Sequence, residues 1–484
     1  MTGSSDSKRH TKPHVLDEAW YASLPDSLQQ SLQSIPASNN YYVALSGGLD
    51  SSLLLLLASR YLSQFRQSPV TAIHVHHGLS DYADQWQAHC EQMCQRWGVA
   101  LVVRKVSLTN KTKGVEEAAR AARYTVFEDV LPNGAVLLQG HHQNDQAETV
   151  LLRLMRGAGA KGIASIPRTR EFNSAIIERP FLALPRKILL QVATAFELEW
   201  VEDESNASLD YDRNYIRHEI IPQLENRWQG AISRLAMSAS HCRESAELED
   251  ALAQIDLASI KHDVFDLALS ITELMTLPMS RQRNVVRYWL RQKGVGYPGE
   301  KRFQRIWTEL LIARDDANPL IEWSLGCVRR YRNAIFALSV REIEDQKAAS
   351  HDVIKIGVEP SLYGDDQGVG RLSLFERTIL GKCYTLCVMD GESKEGDRLL
   401  LRRPKRGEQV SIQFRQGGEL FKPVGKAHHR PLKKWFHDEN VPPWLRDSIP
   451  LLYYNESLVA VGNLLVAEGF QGIMRPESIE IKWG

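Results

Sequence analysis

The chain has 484 residues, 43% hydrophobic and 24% charged, with 59 Lys+Arg against 59 Asp+Glu. That length exceeds one ordinary core and predicts about two to four domains of a soluble globular protein. Zero net charge argues against a uniformly basic nucleic-acid binder, although a local basic patch stays allowed. No apolar run reaches the ~18 residues of a membrane span and no signal peptide opens the chain, so a cytoplasmic protein is expected. The six cysteines form no C-x-x-C pair, which disfavours both a disulfide framework and a zinc ribbon.

In chain order, the polar stretch from Met1 to about His14 predicts disorder, and residues 15–36 an amphipathic helix ending near Pro36. Strand-like runs follow at Tyr41–Leu45, Val70–His76, Val99–Val106 and Ala135–Gln139. Helix-like runs lie at Ser52–Phe65, Ala83–Trp97, Val115–Leu131 and Gln143–Met155. This β-α-β-α order predicts an α/β fold with a doubly wound parallel sheet, whose ligands sit at the carboxyl ends of the strands. Three segments fall at such ends: the loop at Ser46, His74–Ser80 and Gly140–Asp145.

The first of these, Ser46-Gly47-Gly48-Leu49-Asp50-Ser51, joins an apolar run to a Leu-rich helical run. Its glycines let backbone approach an anion, and the unpaired N–H groups opening the next helix attract negative charge. Ser46 and Ser51 add hydroxyls, and Asp50 is a candidate Mg2+ ligand. There is no G-x-x-x-x-G-K-[ST], so no lysine reaches a γ-phosphate. The S-G-G-x-D-S form resembles the loop of the PP-loop ATP pyrophosphatases, which implies cleavage of ATP between its α- and β-phosphates.

The second feature is Gly140-His141-His142-Gln143-Asn144-Asp145-Gln146-Ala147-Glu148-Thr149. It leaves a strand and enters a helix, with Asp145 and Glu148 three apart on one face. An acidic pair at a helix start can simply complement the dipole. Beside an ATP loop it is also a candidate catalytic or substrate-binding pair.

Residues 223 to about 340 lack Gly/Pro punctuation over long stretches and read mainly helical. Arg281, Arg283 and Arg287 crowd one helix there, suiting either a salt-bridged surface or an RNA-facing one. Residues 346–392 read as a linker and the start of the C-terminal region, and 393–484 as a small α+β domain. From Arg398 to Lys434 there are eleven Lys/Arg against two acids, Glu408 and Glu419, interleaved with Phe414, Phe421 and the following Trp435. That mixture suits an RNA-facing surface.

Taken together, Ser46–Ser51, His74–Leu79, Gly140–Thr149, Leu151–Gly159, Arg179–Leu182 and Glu202–Asn206 resemble the tRNA(Ile)-lysidine synthases, within the PP-loop ATP pyrophosphatases. Tyr211, Arg213-Asn214 and Ile216-Arg217 follow at that family's spacing. The similarity is dense over residues 41–222 and looser to the end, through Arg402–Arg406 and Lys433-Lys434-Trp435-Phe436.

The resemblance implies a PP-loop domain over 37–222 after an extension 1–36, a helical tRNA-binding domain over 223–345, and a basic C-terminal tRNA-binding domain. It implies that ATP activates the C2 oxygen of the wobble cytidine in a CAU-anticodon isoleucine tRNA, and that free L-lysine then displaces AMP. The implied nucleotide site is Ser46, Gly47, Gly48, Leu49, Asp50, Ser51, His74 and His76. Asp145 and Glu148 become counter-charges or proton acceptors for the lysine amine. Arg153, Arg213 and Arg217 are candidates for its carboxylate, and His142 is placed with the substrate.

Gly114, Glu116, Arg120, Arg123 and Tyr124 also match the family; Arg120 is expected to meet phosphate or tRNA, while Glu116 and Tyr124 admit a purely structural role. Lys433 and Lys434 are expected to contact tRNA. The second-strand motif departs from the family's common H-V-N-H-G-L-R, with His76 and Ser80 at the Asn and Arg positions. Two rival readings are a PP-loop tRNA thiolase and a non-catalytic tRNA-binding protein. Monomer and homodimer are both open.

Overall fold

The computed structural model describes residues 19–78, 80, 82–106, 115–202, 204, 208–260, 268–314, 317–348, 354–356, 373–379, 382–388, 400–405, 407–472 and 478–483. The expected disordered stretch 1–14 lies outside these, as do Leu79, Gly114, Asp203, Ser205, Asn206, Arg398, Arg406, the Glu116 side chain and most of the expected linker 346–392. The chain divides into two units, Met1–Leu248 and Glu249–Gly484.

The first unit opens with α1 (Asp26–Gln33), shorter than the helix expected over 15–36. Alternating elements follow: β1 (Tyr41–Ala44), α2 (Leu49–Arg66), β2 (Val70–His76), α3 (Ala83–Trp97), β3 (Ala100–Lys105), α4 (Val115–Val130), β4 (Val136–Leu138) and α5 (Gln143–Met155). Beyond them lie α6 (Ala160–Ile163), the hairpin β5 (Thr169–Phe172) and β6 (Ala175–Glu178), and α7 (Arg186–Ala195). A continuous helical stretch contains α8 (Asp212–Tyr215) and α9 (Ile221–Arg227), and α10 (Ala231–Ile260) carries the chain onward.

The sheet order is β3-β2-β1-β4-β6-β5, parallel except for the β5–β6 hairpin. Strand order reverses between β1 and β4, so the crevice at their carboxyl ends is the switch point where such sheets bind ligands. Helix α2 is apolar nearly all round, with Leu53 to Ala58 buried, because it lies between the sheet and the helices α1 and α7. Arg66 at its end donates to Pro36 O (3.1 Å), Gln33 O (3.1 Å) and the Tyr41 hydroxyl (3.1 Å), fastening the preceding segment to the sheet.

The second unit starts within α10 and continues with β7 (Ala268–Ser270), α11 (Ile271–Thr276), α12 (Met279–Gln292) and α13 (Glu300–Arg305). The helical character expected of this region extends to Leu310. Beyond it come β8 (Leu320–Trp323), β9 (Gly326–Tyr331) and β10 (Ala334–Ser339), antiparallel in the order β7-β10-β9-β8. The α12 arginines are absorbed structurally. Arg281 pairs with the buried Asp256, Arg283 donates to Gln304 (2.9 Å), and Arg287 lies 4.6 Å over Phe303.

After α14 (Val340–Ala348), two antiparallel sheets are built from β11 (Ile354–Ile356), β12 (Ser373–Ile379), β13 (Lys382–Val388), β14 (Leu400–Arg402), β15 (Val410–Gln413), the β18–β19–β20 meander (451–466) and β21 (Ser478–Trp483). The short pair β16 (Leu420–Phe421) and β17 (Arg430–Pro431) leads into α15 (Leu432–Asp438). Leu432, Trp435 and Phe436 of α15 are buried in a core with Phe414, Phe421, Ile449 and Leu451.

Candidate active site

The Ser46–Ser51 loop is held open by its own hydroxyls. Ser46 N–H donates to Ser51 Oγ (3.2 Å), the two hydroxyls are 3.0 Å apart, and Ser51 Oγ donates to Gly48 O (3.1 Å). Gly47 sits at φ +89°, and a Cβ there would stand 2.9 Å from Val201 Cγ2 and 3.2 Å from Cys90 Sγ, so only glycine fits. Gly48 caps α2 in extended conformation without a side-chain acceptor, which leaves the N–H groups of the first turn for an anion. From below, His74 Nδ1 lies 2.9 Å from Leu45 O and 3.5 Å from Cys90 Sγ; burial pushes its pKa down. His76 instead points its Nε2 at Asp84 (3.0 Å), which also pairs with Lys105 (3.0 Å).

The β4 end comes close to this loop. A Cβ on Gly140 would stand 2.9 Å from Asp50 O and 3.2 Å from Ser51 N. Two residues on, His142 caps α5 reciprocally. Its N–H donates to Asp145 Oδ2 (2.9 Å) and its Nδ1 accepts from Asp145 N–H (3.3 Å). His142 Nε2 faces Asp50 Oδ2 at 3.5 Å, so one imidazole bridges the nucleotide loop and the acidic helix start. Burial alone would lower the His142 pKa, but Asp145, Asp50 and Glu148 together raise it above its ordinary value.

Asp145 and Glu148 do meet on one face of α5, and both are buried. They meet two arginines from the Asp212–Arg227 stretch. Arg213 donates to Asp145 Oδ1 (2.7 Å) and Glu148 Oε2 (2.7 Å). Arg217 donates to Glu148 through Nε (2.7 Å) and Nη2 (3.0 Å), with Asp145 at 3.5 Å. Burial would raise the Asp145 carboxyl, but His142, Arg213 and His141 outweigh it and hold it at about 2. The four charges cancel within the cluster, a buried arrangement whose desolvation must be offset by these paired, bidentate bonds.

Other expected site residues lie apart. Arg153 is exposed near the end of α5, two turns beyond the acids, and Arg120 is exposed on α4 with Nη2 3.2 Å from the Tyr124 hydroxyl. Lys433 and Lys434 are exposed on the first turn of α15 in the second unit, with no ion pair to a described carboxylate. Their neighbours are more committed: Arg402 pairs with Glu408 (2.8 Å), Arg415 with Asp447 (2.9 Å) and Arg430 with Asp438 (3.0 Å).

Sequence reasoning missed Arg186, the first residue of α7, whose Nε is 4.0 Å from Asp50 Oδ2. It also gave Arg179 no role, although that guanidinium is 2% exposed and donates to Pro167 O (2.7 Å) and Gln139 Oε1 (3.0 Å). The signal available for Arg179 was its place in a matching motif; for Arg186 there was none.

Asp50 Oδ1 is buried without a partner, and no group of three His, Cys, Asp or Glu capable of holding a metal occurs among the described residues. One free carboxylate oxygen fits Mg2+, which takes one or two carboxylates and completes its shell with phosphate oxygens and water. Three of the described cysteines are poor nucleophiles. Burial pushes the Cys90 thiol up to about 12 and those of Cys94 and Cys327 up to about 11. No described helix is long and apolar enough to cross a membrane.

Comparison with known proteins places this geometry. Residues 22–224 match a PP-loop domain, 269–336 a TilS substrate binding domain and 410–483 a TilS substrate C-terminal domain. A tRNA(Ile)-lysidine synthase of Coxiella burnetii is 33% identical over 92% of this chain and 94% of its own length. Those of Serratia proteamaculans (36% identical, 91% and 95%) and Photobacterium profundum (35% identical, 96% and 99%) match as extensively. With an ATP loop at the switch point and relatives of this identity along nearly the whole length, the chain belongs to the tRNA(Ile)-lysidine synthase family of PP-loop ligases.

Proposed function

We propose that this protein uses ATP to adenylate the C2 oxygen of the wobble cytidine in a CAU-anticodon isoleucine tRNA, releasing diphosphate, and that the ε-amine of free L-lysine then displaces AMP to give lysidine. Codon reading would thereby change from AUG to AUA. The observation that carries this reading is the continuous polar line from Asp50 through His142 to Asp145 and Glu148, which joins a nucleotide loop to a charged cluster suited to an amino acid.

The backbone N–H groups opening α2, with Ser46 and Ser51, would receive the phosphates. Asp50 would hold Mg2+, which when bound with ATP neutralises charge on the departing diphosphate. Arg186 would add a cation at the same carboxylate.

Lysine brings one carboxylate and two ammonium groups to a cluster that is neutral when closed. Its carboxylate would take guanidinium N–H groups from Arg213 and Arg217, and its ε-ammonium would take the acid oxygens thus released. The depressed Asp145 carboxyl would serve as a counter-charge, and the amine proton would pass to an acid of this pair before attack.

The test is diphosphate release measured with each substrate omitted in turn. Full turnover should need ATP, CAU-anticodon tRNA and lysine together, with lysine appearing in the tRNA. Sulfur incorporation instead, or turnover indifferent to lysine, would overturn the proposal.

The two exposed lysines of α15 yield a second expectation. The Lys433→Ala, Lys434→Ala double variant should bind tRNA more weakly. The slope of log affinity against log salt should fall by about one unit for each phosphate that a lysine no longer neutralises. An unchanged slope would make this turn an ordinary solvated surface.

A further inference from the structure

The segment joining α6 to β5 is fixed by side chains from three other elements. Ser165 holds a left-handed backbone (φ +57°), uncommon for a residue with a Cβ and sustained only where its surroundings over-determine it. Arg243, on α10, aims one nitrogen at both carbonyls flanking it, Ala164 O and Ile166 O, each at 2.8 Å. Gln146, on α5, closes a two-bond ring with Ile166. Its Nε2 donates to Ile166 O (3.2 Å) and its Oε1 accepts from Ile166 N–H (2.9 Å). Arg179 takes the next carbonyl, Pro167 O.

The Arg243 guanidinium is half-buried and makes no ion pair with a described carboxylate; its hydrogen bonds go to backbone carbonyls. Such a cation is a costly way to hold a loop unless the loop's position matters. What the loop touches is Gln146, buried and flanked in sequence by Asp145. The Ile166–Gln146 ring therefore ties this loop to the turn of α5 that carries Asp145 and Glu148.

We propose that Arg243 is a positioning residue for the lysine site: by clamping the carbonyls on either side of Ser165 it holds Ile166 against Gln146 and so keeps Asp145 and Glu148 in register with Arg213 and Arg217. This rests on the assignment of that cluster to lysine. Arg243 touches no reacting group, and its action passes through the loop.

The test uses Arg243→Ala and Arg243→Lys in the full chain, with hydrogen exchange at the Ile166 amide and steady-state kinetics in each substrate. Arg243→Ala should speed exchange at Ile166 and raise KM for lysine by about tenfold, which converts to ~1.4 kcal/mol, with KM for ATP near wild type. Arg243→Lys, which can still reach one carbonyl, should recover part of both changes. Faster exchange with unchanged lysine kinetics would overturn the proposal, as would a proportional loss in every parameter tracking the folded fraction. If Asp145→Asn also leaves lysine kinetics unchanged, the cluster assignment itself fails. If Asp145→Asn alone is impaired, only the clamp fails.

Discussion

Asp145→Asn should abolish lysine incorporation while leaving tRNA affinity near that of the wild type. The substitution keeps the size and one acceptor oxygen, so the bond from His142 N–H can survive and α5 keeps its cap. What disappears is the charge facing Arg213 at 2.7 Å and His142 at 3.4 Å. The cluster then carries a net positive charge, which repels an ammonium ligand and deprives Arg213 of one of its two carboxylates in a half-buried setting. A loss of about a hundredfold or more in kcat/KM for lysine is the expected size, since truncating one partner of a buried, hydrogen-bonded charge pair at a binding site costs about 2–5 kcal/mol. Wild-type kinetics would remove Asp145 from the site.

The same substitution has a pH signature. The Asp145 pKa is depressed in the folded state, so its contribution to stability is present above the unfolded carboxylate value of about 3.9 and is lost as pH falls toward about 2. Acid unfolding curves of wild type and Asp145→Asn should therefore converge below that window and separate above it.

The parallel sheet was legible because its strands are short apolar runs and its helices have clear periods. β2, α3 and α5 begin and end where expected, and α2 starts three residues earlier than expected because the glycine turn itself serves as its cap. The β9–β10 hairpin was not legible. Its two-residue turn is Arg332-Asn333, with Arg332 at φ +52° where Asn or Gly is the usual signal, so the stretch read as a continuation of the preceding helices. The acidic pair was legible from its spacing, but its arginine partners lie 65 to 72 residues away, and nothing local says that Arg213 and Arg217 close onto those acids. Likewise the basic run from Arg398 could be counted but not sorted, because pairing of Arg402, Arg415 and Arg430 depends on strand and helix neighbours brought close by folding.

Gly140→Ala should damage ATP use through packing alone, with no charge removed. The added methyl would stand 2.9 Å from Asp50 O, 3.0 Å from Asp50 C and 3.2 Å from Ser51 N, all backbone atoms of the first turn of α2. That turn cannot retreat easily, because Ser51, Ser52 and Leu53 behind it are buried and Gly47 is already hemmed in by Val201 and Cys90. β4, from which Gly140 emerges, is paired on both sides by β1 and β6 and has little freedom to yield. Overpacking of this kind costs about 1–3 kcal/mol in stability. Its larger effect should fall on the N–H groups proposed to receive phosphate, since displacing preorganised donors weakens binding and transition-state stabilisation together. The expected result is a rise of at least about tenfold in KM for ATP with a Tm lower by several degrees. Gly159→Ala, where a Cβ meets nothing within 4 Å, should leave Tm unchanged. Wild-type ATP kinetics in Gly140→Ala would mean that the two strand ends do not need their close approach for nucleotide binding.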